Sequence, residues 1–267
     1  MKKYILTITV LLFIAFTAFS QAQKLNVPLS KPGALFTLKA GLIYGSINVI
    51  GYTGKEVLIE AEQRKTEHYT DSKEKGGMKR INGSSGFELE VEEKDNVVTV
   101  RAPGWMKAIT LTIKVPAGIS RLEVSTINNG DISIANVNGD IEVKNVNGEI
   151  TFKNVSGSII ATTINGDIKG DLKSHKAGSP LAFTTLNGNV DVTFPANFKA
   201  DMKMKSDRGE IYTDFELDAT TQQVKKSTDE GSYKIKLENW VRGKINGGGA
   251  EVLMKNMNGN IYVRKAK

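Results

Sequence analysis

Four carboxylates share one spacing. Asp131, Asp140, Glu149 and Asp167 stand nine, nine and eighteen residues apart, and each directly follows a glycine. Acids repeated at a fixed step can stack into a ladder, and a row of carboxylate oxygens is the ligand type of hard cations. The nonapeptide calcium roll, Gly-Gly-x-Gly-x-Asp-x-apolar-x, has the same period. That motif needs several glycines per unit and an aspartate at a fixed offset. Here the core unit has one glycine, with its acid next to it. The period matches and the ligands do not. The expectation is a row of solvated turn carboxylates, paired with lysines such as Lys144 or Lys153, and no metal site is assigned.

Other reactive residues are scarce. His68 and His175 are the only histidines, both in polar, loop-like sequence, and the chain has no cysteine. A zinc site and a thiol nucleophile therefore lack ligands. No catalytic residue and no cofactor site is expected. Aromatics are few, and Trp105 and Trp240 stand alone.

The elements that carry the acids are a repeat. Gly130, Gly139, Gly148, Gly157 and Gly166 are each nine residues apart, in units of the form Gly-acid-Ile, with Gly157-Ser158-Ile159 as the variant. A short unit at fixed period cannot bury its apolar face alone, so its copies must stack. Two architectures compete. Asn138-Gly139, Asn147-Gly148 and Asn165-Gly166 are good type I′ hairpin signals, which would give an antiparallel meander or sandwich. Side-chain parity favours the other. Ile141 and Val143 share a strand face while Val146 falls on the opposite one, and Ile150, Phe152 and Val155 repeat the break. A parity break at the same place in every unit marks a corner that keeps the apolar residue inside. The fold class expected is an all-β parallel β-solenoid with nine-residue half-coils, the antiparallel meander remaining as alternative. Glycine supplies positive φ at the corners. The asparagines before it, and Asn136, Asn145 and Asn154, stack along the axis.

Outside this centre the pattern loosens. Glycine steps lengthen to 22 at Gly188 and 21 at Gly209, which suits full coils of 18–22 residues. At that size the chain would make about 12 coils and a body of roughly 60 Å at the usual inter-strand spacing. Residues 63–86 and 218–231 are polar and read as irregular excursions. Asn258-Gly259-Asn260-Ile261 is a last copy of the repeat, read as the terminal coil, with Arg264, Lys265 and Lys267 shielding its edge. No segment has the periodicity of a helix after the start of the chain.

Residues 1–22 read as a secretory signal peptide: Lys2-Lys3, an apolar run from Tyr4 to Phe19, then small residues. Residues 23–267 are expected to form a single domain with no membrane span. The absence of cysteine removes a lipoprotein anchor. Net charge is +7, from 36 basic and 29 acidic side chains, but the lysines are spread out. A solubility role is the expectation, and with no aromatic interleaving nucleic acid is not an expected partner.

Together, the export signal, Gly45-Ser46-Ile47-Asn48-Val49, the strands ending at Pro116 and Pro195, the Asn-Gly-Asp-Ile units and the Asn-Gly-Asn-Ile ending resemble a known group. This is the bacterial β-strand-repeat putative adhesins, a domain of unknown function similar to head-GIN auto-transporter adhesin domains. The resemblance implies an envelope β-solenoid of a Gram-negative bacterium, located in the periplasm or at the cell surface. It supplies no catalytic residues, and the chain shows no translocator barrel. Three functions stay open: a non-enzymatic binding protein for a glycan or envelope protein, a polysaccharide-active β-helix enzyme, and a periplasmic scaffold without ligand. The first is favoured.

Overall fold

The computed structural model describes residues 23–64, 74–75, 78–79, 87–103, 108–174, 178–217, 219–229 and 232–267. The expected signal peptide, most of the 63–86 excursion, His68, His175 and Trp105 lie outside them. Among the described residues there is no helix. The first described strands are β1 (Gln23–Val27), β2 (Phe36–Tyr52), β3 (Val57–Gln63) and the two-residue β4 (Glu74–Lys75) and β5 (Met78–Lys79). It continues with β6 (Glu90–Lys94), β7 (Val97–Ala102), β8 (Ile109–Pro116), β9 (Ile119–Asn128), β10 (Ile132–Ala135) and β11 (Asp140–Asn145). Then come β12 (Ile150–Ser156), β13 (Ile159–Asn165), β14 (Ile168–Ser174), β15 (Leu181–Asn187), β16 (Val190–Phe194) and β17 (Ala200–Ser206). The last are β18 (Ile211–Thr213), β19 (Thr220–Asp229), β20 (Ser232–Ile245), β21 (Ala250–Asn256) and β22 (Ile261–Lys265).

Successive strands alternate between two facing stacks. One runs β1-β3-β8-β2-β10-β12-β14-β16-β22-β18, the other β6-β7-β2-β9-β11-β13-β15-β21-β17-β20-β19. The long β2 belongs to both. Pairing within the repeat is parallel, with Ile132, Ile150 and Ile168 in register 18 residues apart. This is the parallel solenoid, and the meander is overturned. Asn138, Asn147 and Asn165 are absent from the positive-φ residues, so the I′ turns that a meander needs do not form.

The core lies between the stacks. Inward residues such as Ile150, Phe152, Ile141 and Val143 are at most 2% exposed. Phe152 of one stack meets Phe183 of the other edge-on, with ring centroids 6.4 Å apart. The parallel part has eight layers rather than about twelve, because β1, β3, β6, β19 and β20 are spent on antiparallel pairs at the ends. Residues 218–231, expected to be irregular, contribute β19 to an antiparallel hairpin with β20.

Neither end of the parallel stack is made by the strands that sequence order would put there. The coil of β21 and β22 lies between β15/β16 and β17/β18, so the last repeat is an internal layer and not a terminal one. At the other end β2 lies between β7/β8 and β9/β10. A surface of stacked backbone groups accepts any matching coil, so packing and not order along the chain decides where each one sits.

Candidate binding surface

The two corners of each coil are built differently. At the corner from β10 to β11 and from β12 to β13, Asn136 and Asn154 adopt φ of 57° and 54°. That left-handed step reverses parity and turns Val137 and Val155 inward, at 2% and 0% exposure. The parity argument holds here. At the other corner it fails. The alternation runs on through Asn145 and Thr163, which are buried, while Ile164 is 41% exposed and Val146 only half-buried.

The buried polar residues explain why. Asn145 Nδ2 donates to the Gly130 carbonyl at 2.9 Å, Thr163 Oγ1 to Gly148 at 3.3 Å and Thr185 Oγ1 to Gly166 at 2.9 Å. Asn256 Nδ2 and Ser206 Oγ repeat the contact at Gly188 and Gly259, at 3.1 and 2.9 Å. Five coils thus hook onto the glycine carbonyl of a neighbouring layer, whereas Thr126 Oγ1, buried at the same position in β9, has no partner among the described residues. An unpaired buried carbonyl would cost about 1–3 kcal/mol. The residue that follows each hook faces outward, apolar at Val146, Ile164, Leu186 and Met257 and acidic at Asp207.

The repeat glycines serve this contact more than they serve φ. Gly148 and Gly157 do take positive φ, 151° and 108°, but Gly130, Gly139 and Gly166 do not. What those three require is bare backbone. A Cβ on Gly166 would stand 2.0 Å from the Gly148 carbonyl oxygen, and one on Gly130 would stand 1.6 Å from that of Gly45.

A full coil holds two glycine units, so the expected acidic ladder divides. Asp131, Glu149 and Asp167 line one corner and Asp140 the other. In the first row the side chain bridges layers: Asp131 Oδ1 accepts the Glu149 amide and Asp167 Oδ1 the Asn189 amide, both at 2.8 Å. Asn189 and Asn260 make the same bond to the amides of Asn260 and Glu210, at 2.8 and 2.9 Å. An uncharged amide does the same work, so the row is a backbone clamp. Glu149 ion-pairs with Lys169 rather than Lys153. Burial raises its pKa, but the Lys169 and Thr151 hydrogen bonds outweigh this and hold it below the usual carboxylate range.

The asparagine stack forms as expected at Asn147 and Asn165, and it is longer. Asn258 Nδ2 donates to Asn187 Oδ1, Asn187 to Asn165, Asn165 to Asn147 and Asn147 to Asn128, at 2.6, 2.7, 2.8 and 3.3 Å. Asn136 and Asn154 pair at the opposite corner at 2.6 Å, with Asn138 beside Ser156. Asn145, buried as a hook, is in neither stack.

Beside the asparagines runs the surface that parity reasoning hid. Ile43, Ile127, Val146, Ile164, Leu186 and Met257 occupy one position in six adjacent layers. All but half-buried Val146 are 37–45% exposed. On β13, β15 and β21 a second outward row, Ile160, Ala182 and Leu253, runs beside it, with Thr162, Thr184 and Lys255 between the two. Ion pairs bound the patch on one side: Arg121 meets Glu123 at 2.6 Å and Glu142 at 2.8 Å, and Lys144 meets Glu142 at 2.6 Å. The Lys144 hydrogen bond is the main reason that Glu142 titrates below its ordinary range. Lys203 and Lys205 stand on the other side, with Lys203 Nζ 5.0 Å from the Trp240 ring centroid and Lys205 paired with Asp207 at 2.8 Å. An exposed apolar row that runs through six layers and is framed by charge is the usual mark of an interaction surface. The signal available in the sequence was the Asn or Thr directly before Val146 and Ile164, where the other corner has a left-handed Asn.

Residues 138–264 match the Toastrack DUF4097 family, a domain of unknown function. The match covers the C-terminal half of the chain, whereas the parallel stack continues past it to β9, β2 and β7. Similar solved structures include a "putative cell adhesion protein" from Clostridium sporogenes, 14% identical over 92% of this chain and 99% of that one, with a TM-score of 0.49. Another is a "putative adhesin" from Bacteroides fragilis, 13% identical over 91% and 97% of the two chains, with a TM-score of 0.35. No curated protein matches the chain.

Proposed function

We propose that this is an exported, non-enzymatic protein of the bacterial envelope that binds a partner through the flat apolar face of its second stack. The observation that carries this reading is the row of Ile43, Ile127, Val146, Ile164, Leu186 and Met257, one outward position repeated through six adjacent layers. A stack held in register by glycine carbonyl hooks and asparagine ladders is stiff, so the face is formed before any partner arrives. Little ordering then opposes binding. Its two rims, one of ion pairs and one of lysines, would set orientation rather than affinity. The signal-like start and the absence of cysteine support a place outside the cytoplasm.

Protease shaving of intact cells, with a periplasmic fraction run beside it, tests the location. Cleavage on intact cells supports display and adhesion to an outside surface. Protection with recovery in the periplasm limits the partner to the envelope interior. Retention of the purified chain on isolated envelopes tests binding. Ile164→Thr with Leu186→Thr should abolish retention without unfolding, and equal retention of wild type and variant would refute the face as the binding site.

A further inference from the structure

At the opposite corner from the apolar face lies a groove of about 610 Å³. Its walls are the end of β2, the β8–β9 turn and the β10–β11 corner, with Gly157 and Ser179 from later coils. A volume of this size is within the range of small-molecule sites, and such sites combine a rigid apolar wall with a few fixed polar groups.

Three features define what fits. Tyr52 is held at two points. Its hydroxyl donates to the Glu56 carbonyl at 2.7 Å, and its ring lies so close over Gly54 that a Cβ there would stand 2.2 Å from it. Its rotamer is therefore set in advance, as a stacking wall requires. The lining at Gly51, Gly139 and Gly157 is bare backbone. A Cβ at these positions would stand 1.9, 2.6 and 2.2 Å from carbonyl oxygens of neighbouring coils, so no side chain can fill the groove from there. Among the lining residues Asp140 is the only charged one, and it is exposed. Asn136, also on the wall, accepts from Asn154 through Oδ1, and its side-chain Nδ2 donates no hydrogen bond among the described residues.

We propose that this groove is a subsite for a neutral oligosaccharide. A pyranose offers a C–H face to an aromatic ring and a rim of hydroxyls that both donate and accept. Tyr52 supplies the ring, Asp140 an acceptor for a hydroxyl pair, and Asn136 a donor. An acidic glycan would bring its carboxylates against Asp140, and Arg121, the cation beside Asp140, is already paired with Glu123 and Glu142. A peptide strand finds no free edge, because the coils at this corner are closed by interlayer bonds such as Gly139 N to Ser156 O at 3.1 Å and Ser156 N to Val137 O at 3.0 Å. Since each layer adds about 4.8 Å, a sugar chain can follow the corner across several coils. This assignment of the groove stands independently of the apolar face.

The test is calorimetric titration of the purified chain with cellohexaose, mannohexaose and chitohexaose, and with a hyaluronan hexasaccharide as the acidic counterpart. The expected result is saturable binding of at least one neutral oligomer, little changed by salt. Tyr52→Leu and Asp140→Asn should each weaken it by about tenfold, the loss of one well-made contact. Ile164→Thr with Leu186→Thr should leave it unchanged, which separates this site from the apolar face. Tyr52→Leu keeps bulk at the wall, and Asp140→Asn, at an exposed position, covers the case in which the first variant fails to fold. No binding by any neutral oligomer overturns the proposal. So does binding that survives both substitutions, or preference for hyaluronan with steep loss in salt.

Discussion

At residue scale the molecule is organised by hydrogen bonds that pass from one coil to the next, and the charges in the repeat are secondary to them. Asp167 illustrates this. Its carboxylate clamps the Asn189 amide at 2.8 Å, and Asn189 clamps the next layer in the same way. Asp167→Asn should therefore leave thermal stability nearly unchanged, whereas Asp167→Ala should cost about 1 kcal/mol, read from urea midpoints. Added calcium should shift neither. Gly166→Ala should be severe, about 3 kcal/mol or more, because its Cβ meets backbone that cannot move aside. Titration gives a further check. Ser30 hydrogen bonds hold Glu93 below the ordinary value of 4.5, and Lys144 does the same for Glu142. Glu149 is also lowered, with burial opposing and Lys169 prevailing. Groups depressed in the fold stabilise it above their unfolded pKa, and that contribution is lost as pH falls through the folded values. Stability should thus hold from neutrality to just above the ordinary carboxylate range and decline below it, less steeply in Glu142→Gln.

At the scale of elements, two corners of unlike construction alternate along the chain. Asn154 at φ 54° turns Val155 inward, so Asn154→Gly should be tolerated and Asn154→Val should destabilise by about 1–2 kcal/mol in thermal melts. Thr163→Val removes a hook from the Gly148 carbonyl and should cost a similar amount despite the gain in apolar surface. This scale also shows how far the sequence could be read. The nine-residue step follows from spacing, and the parallel stacking of Ile132, Ile150 and Ile168 from spacing with side-chain parity. The glycines read as positive-φ corners, whereas three of the five serve close approach instead. The identity of the two corners follows from neither spacing nor parity. Val146 and Val155 hold the same place relative to their glycines, yet one faces water and the other the core. The difference lies in whether the preceding Asn takes a left-handed step or reaches a carbonyl, and that choice is made by the neighbouring coil. The exposed face was missed for this reason.

At the scale of the whole molecule, the order of layers is not the order of the chain. Pairing of β15 with β21 joins residues about seventy apart, Leu181 with Val252. Nothing local in either strand announces it, and the lengthening glycine steps after Gly166 only hinted that regular succession ends. One consequence is testable. Removing residues 250–267 deletes an internal layer and strands β17 and β18, so it should abolish the cooperative unfolding transition in circular dichroism. If the last repeat were terminal, the same truncation would lower the midpoint and keep the transition. The end strands β19, β20, β1 and β3 close the stack antiparallel to it, which removes most of the parallel edge that would otherwise recruit further chains. What remains available for recognition is the long side of the stack.

The claim that this side is occupied in the envelope can be measured directly. The chain has no cysteine, so a single one placed at Ile164, or at Thr151 on the opposite stack as control, gives a unique label. Each variant is reacted with a bulky maleimide as purified protein and again in native envelopes. The account predicts that position 164 labels readily when purified and is protected in the envelope, while position 151 labels equally in both. Equal labelling of position 164 in the two settings would contradict it.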